Sequence, residues 1–221
     1  MARYFNNLSY KTHNMKTFNS CLAALSICLL AACNNGTGNK DSVDSAKAIN
    51  DSTVKAAADS AGTNNDSAAV NTSGTPVDKE SADFAVDAAN GGMAEVAMGQ
   101  VAQANASSQR VKDFGAMMVK DHTAANEKLK KIAMQENITL PAALSDKEQM
   151  HVNDLQKKSG MEFDNAYMKM MMDDHKDDIK EFEKVSDNCK DANLKNFAVY
   201  TLPVLHKHLD SVRAIYGKYK Y

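Results

Sequence analysis

The stretch NITLPAALSDKEQMHVNDLQKKSG, residues 137–160, decides the architecture. It opens on a break, Asn137 to Leu144, with Pro141 inside it, where an α-helix cannot continue. Ser145-Asp146-Lys147-Glu148 then matches a capping box and starts a short helix. That helix ends near Ser159-Gly160. The insert therefore carries its own helix and is not a tight turn.

On each side of it lie two long helical segments. Ser81 to about Asn105 places Phe84, Ala88, Gly91, Met98 and Ala102 on one face at helical spacing. Ser107 or Ser108 can cap the next helix, which runs to about Glu136 with Val111, Phe114, Met118, Ala125, Leu129 and Ile132 inward. The connection between these two is very short, so they form an antiparallel hairpin. A third helix runs from Met161 to about Asp187 with Tyr167, Met171, Phe182 and Val185 inward. Asp191 caps the fourth, which turns Leu194, Phe197, Leu205, Leu209, Val212 and Ile215 inward. Pro203 lies inside that last helix and is expected to kink it. A helix of about 28 residues is roughly 42 Å long, and residues 137–160, part helical and part extended, can span that length. The layout is all-α: a four-helix bundle with one long crossover containing a short extra helix, the topology of ferritin-like bundles.

Several ionisable residues fall on the inner faces at 100° per residue. Glu95 sits in the apolar face of the first long helix. Asp121 is inward on the second, with His122 at its edge. His175 and Asp178 are inward on the third, with Asp174 beside them. His208 is inward on the fourth, while His206 points away. Within the hairpins, Glu95 and Asp121 lie within about 4.5 Å of one level, and Asp174 and His208 within roughly 6 Å. The relative height of the two hairpins is not readable from spacing. Buried charges must be paired or bound to a metal. Two readings follow for Glu95, Asp121, His122, His175, Asp178 and His208. One is a carboxylate–imidazole site for a transition metal (Zn, Fe, Mn or Cu). The other is a hydrogen-bonded network that fixes helix register. The run Met168-Lys169-Met170-Met171-Met172 spreads around its helix and reads as packing.

Gly92-Met93-Ala94-Glu95, Met118-Val119-Lys120-Asp121-His122, Gly160-Met161-Glu162-Phe163-Asp164 leading to Asp174-His175, and Leu202-Pro203 with His208-Leu209 together resemble a family of exported bacterial proteins of unknown function. Its members are usually described as outer-membrane or periplasmic proteins with a ferritin-like domain. The resemblance runs from about Asp83 to Tyr216 and implies the fold, not an activity. A ferritin-type di-iron site would use Glu-x-x-His on two helices. Val119, Met172 and Leu205 stand where those glutamates would be, so ferroxidase chemistry is not implied.

The N-terminal third speaks to location. Thr17 to Ala32 is uncharged, and its apolar part, Cys21 to Leu30, fits a signal-peptide core and is too short for a membrane span. Lys11 and Lys16 precede it, and Met15 is an alternative start. Leu30-Ala31-Ala32-Cys33 resembles the lipobox of bacterial lipoproteins. The expected organisation is a signal peptide over 1–32, a lipidated Cys33 with a tether over 33–79, and the bundle over 80–221. The tether has no aromatic residue, no Leu and a single Ile (Ile49), so it is expected to be disordered. Lipidation implies anchoring to a membrane and a place in the cell envelope, at the outer membrane facing the periplasm. Of the four cysteines, only Cys189 is a thiol of the folded domain. The chain has 26 Lys and Arg against 28 Asp and Glu, so no basic excess points to nucleic acid. No nucleophile elbow or phosphate loop is present, so an enzyme has the least support. A metal-binding envelope protein and a non-catalytic interaction or stress protein are the two functional expectations.

Overall fold

The computed structural model describes residues 41–61 and 77–217. The signal segment, the lipobox and Cys33 lie outside the described residues. Among the described residues six helices follow in order: α1 (Ser42–Ala61), α2 (Lys79–Asn105), α3 (Gln109–Gln135), α4 (Asp146–Gln156), α5 (Gly160–Asn188) and α6 (Ala192–Tyr216). Helices α2, α3, α5 and α6 form the four-helix bundle, and α4 is the short helix of the crossover.

The starts of the helices follow the local sequence. Asp78 accepts from the Ser81 N–H at 3.0 Å, Ser145 from Glu148 N–H at 3.2 Å, and Asp191 from Leu194 N–H at 2.8 Å. Each satisfies an amide that the first helical turn leaves unpaired. Helix α6 runs unbroken through Pro203.

The start of α3 is different. Ser108 occupies the N-cap position, but its side chain makes no capping bond. Asp164, from α5, takes that role. Its carboxylate accepts from Ser107 N–H and Ser108 N–H, both at 3.0 Å, and from the Ser107 hydroxyl at 2.6 Å. The expected local cap is thus replaced by a fully buried carboxylate from the other hairpin. A negative charge is also favoured at a helix N-terminus. Asn105 closes the same end by donating to the carbonyls of Gln156 and Lys158.

The crossover leaves α3 at Asn137, which adopts φ 54, and passes along the outside of α2. Asn90 holds it midway: its Oδ1 accepts from Ser145 N–H at 2.9 Å and its Nδ2 donates to the Ser145 hydroxyl at 3.3 Å. Helix α5 then begins beside the α2–α3 turn, where Ala106 pairs with Gly160. All neighbouring bundle helices are consequently antiparallel. Within the first hairpin, Gly99 and Gly115 face each other. A Cβ on Gly99 would lie 2.7 Å from the Gly115 carbonyl oxygen, so this contact needs the small residue.

Two aromatic groups fill the bundle on either side of its middle. Phe84, Phe182 and Phe197 meet at ring-centroid distances of 5.0–6.4 Å. Phe163 stacks on Tyr167 at 5.5 Å, and Phe114 meets Tyr167 at 6.1 Å. The expected inward residues are buried, except that Ala88, Gly91, Ala125 and Ile132 are partly exposed. Gly91 lies at a gap: a Cβ there would meet nothing within 4 Å.

One expectation fails. Part of the proposed tether is ordered, as helix α1. Its apolar content is low, and polar groups dock it. Asn50 exchanges two bonds with the Thr139 backbone, at 2.8 and 3.0 Å. Lys47 pairs with Asp87 at 2.7 Å. Asp41 accepts from Asp146 N–H at 2.7 Å. Composition registers apolar area and is blind to a polar clasp of this kind.

Asp164→Ala should destabilise the bundle by about 2–4 kcal/mol, since it removes charge-assisted bonds and leaves buried amides unpaired. Urea unfolding of the variant against the parent checks this. A loss below about 1 kcal/mol would mean that the inter-hairpin cap is not needed.

Candidate metal centre

Between the two aromatic groups, four buried polar side chains converge from four helices. Glu95 comes from α2, His122 from α3, His175 from α5 and His208 from α6, each at most 6% exposed. The stripe of α3 that faces the bundle passes through Val111, Phe114, Gly115, Met118, His122 and Leu129. It steps by four residues from Met118 to His122. This corrects the expected positions on α3: His122 is the buried group and Asp121 stands at the rim, with 22% of its side chain exposed.

The hydrogen bonds assign the imidazole protons. Glu95 Oε2 lies 2.7 Å from His122 Nδ1, so that nitrogen carries the donated hydrogen. His175 Nδ1 lies 2.9 Å from the Met171 carbonyl oxygen, which can only accept, so it too is protonated. His208 Nε2 lies 3.0 Å from Asp121 Oδ2 and donates to it. Each imidazole thus has one nitrogen held by an oxygen acceptor.

The remaining nitrogens are His122 Nε2, His175 Nε2 and His208 Nδ1. His122 Nε2 is buried without any hydrogen-bond partner. His175 Nε2 and His208 Nδ1 are 3.2 Å apart. With their other nitrogens protonated, neutral rings would turn two lone pairs toward each other. A proton or a cation between them removes the conflict. One ring nitrogen from each of the three histidines falls within a group no wider than 4.8 Å. Two nitrogens bound tetrahedrally to one zinc at about 2.0–2.1 Å sit about 3.3–3.4 Å apart, close to the spacing seen. The donor set therefore fits a divalent transition metal.

Electrostatics divide the cluster. Burial would raise the Glu95 pKa, but the charges of His122 and His175 and the bond from His122 outweigh it and hold it below the ordinary value. Burial likewise pulls His122 down, but Glu95 outweighs it and raises the group. Glu95 and His122 thus each favour the charged form of the other. Burial lowers His175. It lowers His208 to about 4, against the opposing bond to Asp121. These two rings are neutral near pH 7, the state a metal ligand requires.

A second group adjoins the first. Asp178 offers a ligand oxygen within 4.8 Å of those of Glu95 and His175. Burial, then Glu95 and Asp174, push its pKa well above the ordinary value. Asp174, beside it, is raised to about 7, first by burial and then by Glu95. The Tyr167 hydroxyl is buried without a partner and is raised well above its usual value by burial and Glu95.

All six expected residues therefore lie in or beside the cluster. Glu95, His122, His175 and His208 form its centre, Asp121 its rim and Asp178 its flank. His206 faces out toward Glu183, as expected. Two members of the cluster were not expected from sequence. One is the Met171 carbonyl, for which no side-chain signal exists. The other is the Tyr167 hydroxyl, on a residue that reads as ordinary core.

A family model for a domain of unknown function, DUF4142, matches residues 66–215. No curated protein matches the chain. Among solved structures, a DUF305 fragment from Deinococcus radiodurans is similar, with a TM-score of 0.58 at 7% sequence identity, covering 65% of this chain and 99% of that one. At that identity the likeness concerns the helical fold alone.

His208 gives the metal-free protein a pH dependence. Its folded pKa lies below its ordinary value near 6.5, so the unfolded state binds the proton more readily. Its contribution is complete above about pH 6.5 and is lost as pH falls toward 4. His208→Gln should lack that loss. The stability gap between parent and variant in a chelator should narrow by about 2–3 kcal/mol between pH 7 and pH 4.5. A gap independent of pH would contradict a buried neutral His208.

Proposed function

The chain belongs to the DUF4142 family, domains of unknown function, and we propose that it is a lipid-anchored envelope protein whose helical bundle holds a transition-metal ion on His122, His175 and His208. The observation that carries the metal reading is the pattern of ring nitrogens. Three imidazoles each give one N–H to an oxygen acceptor, one ring nitrogen from each falls within 4.8 Å of the others, and His175 Nε2 faces His208 Nδ1 at 3.2 Å. Acceptors of this kind fix the tautomer and ring orientation of a metal-bound histidine and raise its basicity. Glu95 and Asp121 supply the carboxylate acceptors and Met171 the carbonyl.

A purely structural network accounts for the Glu95–His122 pair less well than for the rest. It leaves His122 Nε2 buried without a partner, which costs about 1–3 kcal/mol. It also leaves two lone pairs opposed across 3.2 Å. A metal satisfies all three nitrogens together. Imidazole donors suit Zn, Cu, Fe and Ni. Three histidines in a nearly closed, aromatic-capped interior, with His122 releasing its Nε2 proton on binding, suit retention of zinc or copper. The ferritin-type Glu-x-x-His pairs are missing, so an iron-oxidising role is not part of this reading.

Anchoring rests on the sequence of the N-terminal segment. Leu30-Ala31-Ala32-Cys33 ends an uncharged apolar run in the manner of a lipobox. Among the described residues no helix is long and apolar enough to cross a membrane. A lipid on Cys33 would therefore be the membrane attachment of this bundle. Helix α1 lies between that anchor and α2 in sequence, so its docking would shorten the free tether.

The full-length chain, freed of metal by a chelator, should take up one equivalent of Co2+ and develop the intense visible bands of a tetrahedral ion. Zn2+ should displace the Co2+. Binding should raise the melting temperature, since only the folded chain presents the site. His122→Ala and His208→Ala should each weaken uptake by at least about tenfold, the loss typical of a ligand or its support. Uptake indifferent to both changes, or no uptake, would overturn the metal reading. Separately, Cys33→Ser should abolish labelling with a fatty-acid probe and release the protein from membranes. A membrane-bound Cys33→Ser chain would remove the lipid anchor.

A further inference from the structure

Glu95 has two carboxylate oxygens in different situations. Oε2 is engaged by His122. Oε1 is buried and makes no hydrogen bond. His175 Nδ1 lies 3.4 Å from it, but that N–H points to the Met171 carbonyl at 2.9 Å. A desolvated carboxylate oxygen without a donor is expensive, and something should answer it.

What stands beside it is two more carboxyl groups, Asp174 and Asp178. Helix α5 places Asp174 and Asp178 one turn apart. A ligand oxygen of Asp178 lies within 4.8 Å of those offered by Glu95 and His175. The charges acting on Asp178 are those of Glu95, Asp174, Glu181 and Asp177, all acidic. The basic side chain that reaches Asp174 is Lys147, at the crossover. No ion pair among the described residues neutralises Asp174 or Asp178. Gly91 lies one turn before Glu95 on α2, and a Cβ there would meet nothing within 4 Å.

We propose that Glu95 Oε1 and Asp178, with Asp174 one turn away on α5, form a second cation subsite beside the three histidines and suited to a hard divalent ion such as Mn2+ or Mg2+. Oxygen donors in this number leave positions for water, the usual condition of such ions in proteins. The ion supplies the positive charge that the Glu95–Asp178 flank lacks, and the Gly91 gap leaves space for its water. Glu95 then joins the two subsites, with Oε2 orienting His122 and Oε1 facing the hard cation. The second subsite deepens the metal reading above because Glu95 is common to both. Its ligands are otherwise separate, so each subsite can be tested without the other.

The test is a Mn2+ titration of the full-length chain purified in detergent, followed by the electron paramagnetic resonance signal of free Mn2+. It is run with and without one equivalent of Zn2+. The parent should bind one Mn2+ in the presence of Zn2+. Asp178→Asn, nearly identical in shape, should weaken Mn2+ at least about tenfold and leave Zn2+ uptake unchanged. Asp174→Asn should weaken Mn2+ in the same direction. His208→Ala should lose Zn2+ and keep Mn2+. Circular dichroism and melting of each variant establish that it is folded. A parent that binds no Mn2+ under either condition, or an affinity that neither carboxylate change alters, would overturn the second subsite. Failure of the histidine site shows separately, as loss of Zn2+ uptake by the parent, and the Mn2+ titration without Zn2+ then still decides this proposal.

Discussion

The Glu95 carboxylate is a charge held at the centre of a helical bundle, and most of the interior is arranged around it. Left alone there, an ionised carboxylate would cost several kcal/mol or take up a proton. His122, from the neighbouring helix, pairs with one of its oxygens, and His175 Nδ1 from the opposite hairpin lies 3.4 Å from the other. The pairing therefore couples α2 and α3 to α5. His208 extends the chain to α6 and ends it at Asp121 on the rim. All four bundle helices contribute, so the cluster sets their relative height as well as their rotation.

That constraint explains where the rest of the core goes. The aromatic residues are divided into two groups, Phe84, Phe182 and Phe197 on one side and Phe114, Phe163 and Tyr167 on the other. Both exclude water from the polar layer, which strengthens each interaction inside it and raises the cost of any group left unpaired. Asp164 performs a similar task at one end of the bundle, tying the start of α3 to α5 through three bonds. The hairpins are joined by polar contacts at two levels, and packing fills the space between. Such contacts are specific in geometry where apolar packing is not, and they give the bundle a single register.

Much of this arrangement is legible in the amino-acid sequence. The capping box at Ser145 and the cap at Asp191 mark two helix starts, and the length of residues 137–160 requires a crossover. The wheel positions of Glu95, His175 and His208 place them inward, where they are. Three features are not legible there, for physical reasons. His122 and Asp121 exchange their expected places because adjacent residues differ by 100°, and the stripe of α3 follows a four-residue step through Met118 and His122. The pairing of His175 with His208 depends on the heights of helices that periodicity alone does not fix. Helix α1 lacks the apolar area that composition detects, and its order comes from Asn50, Lys47 and Asp41 binding groups more than thirty residues away.

The central claim is that the three histidines share one ion. Crystals grown with zinc, measured on both sides of the zinc absorption edge, test it most directly. An anomalous peak is expected about 2.0–2.1 Å from His122 Nε2, His175 Nε2 and His208 Nδ1, with Glu95 Oε2 still bonded to His122 Nδ1. A cluster with no peak, its imidazoles linked only to one another and to the carboxylates, would contradict it and leave a structural network in its place.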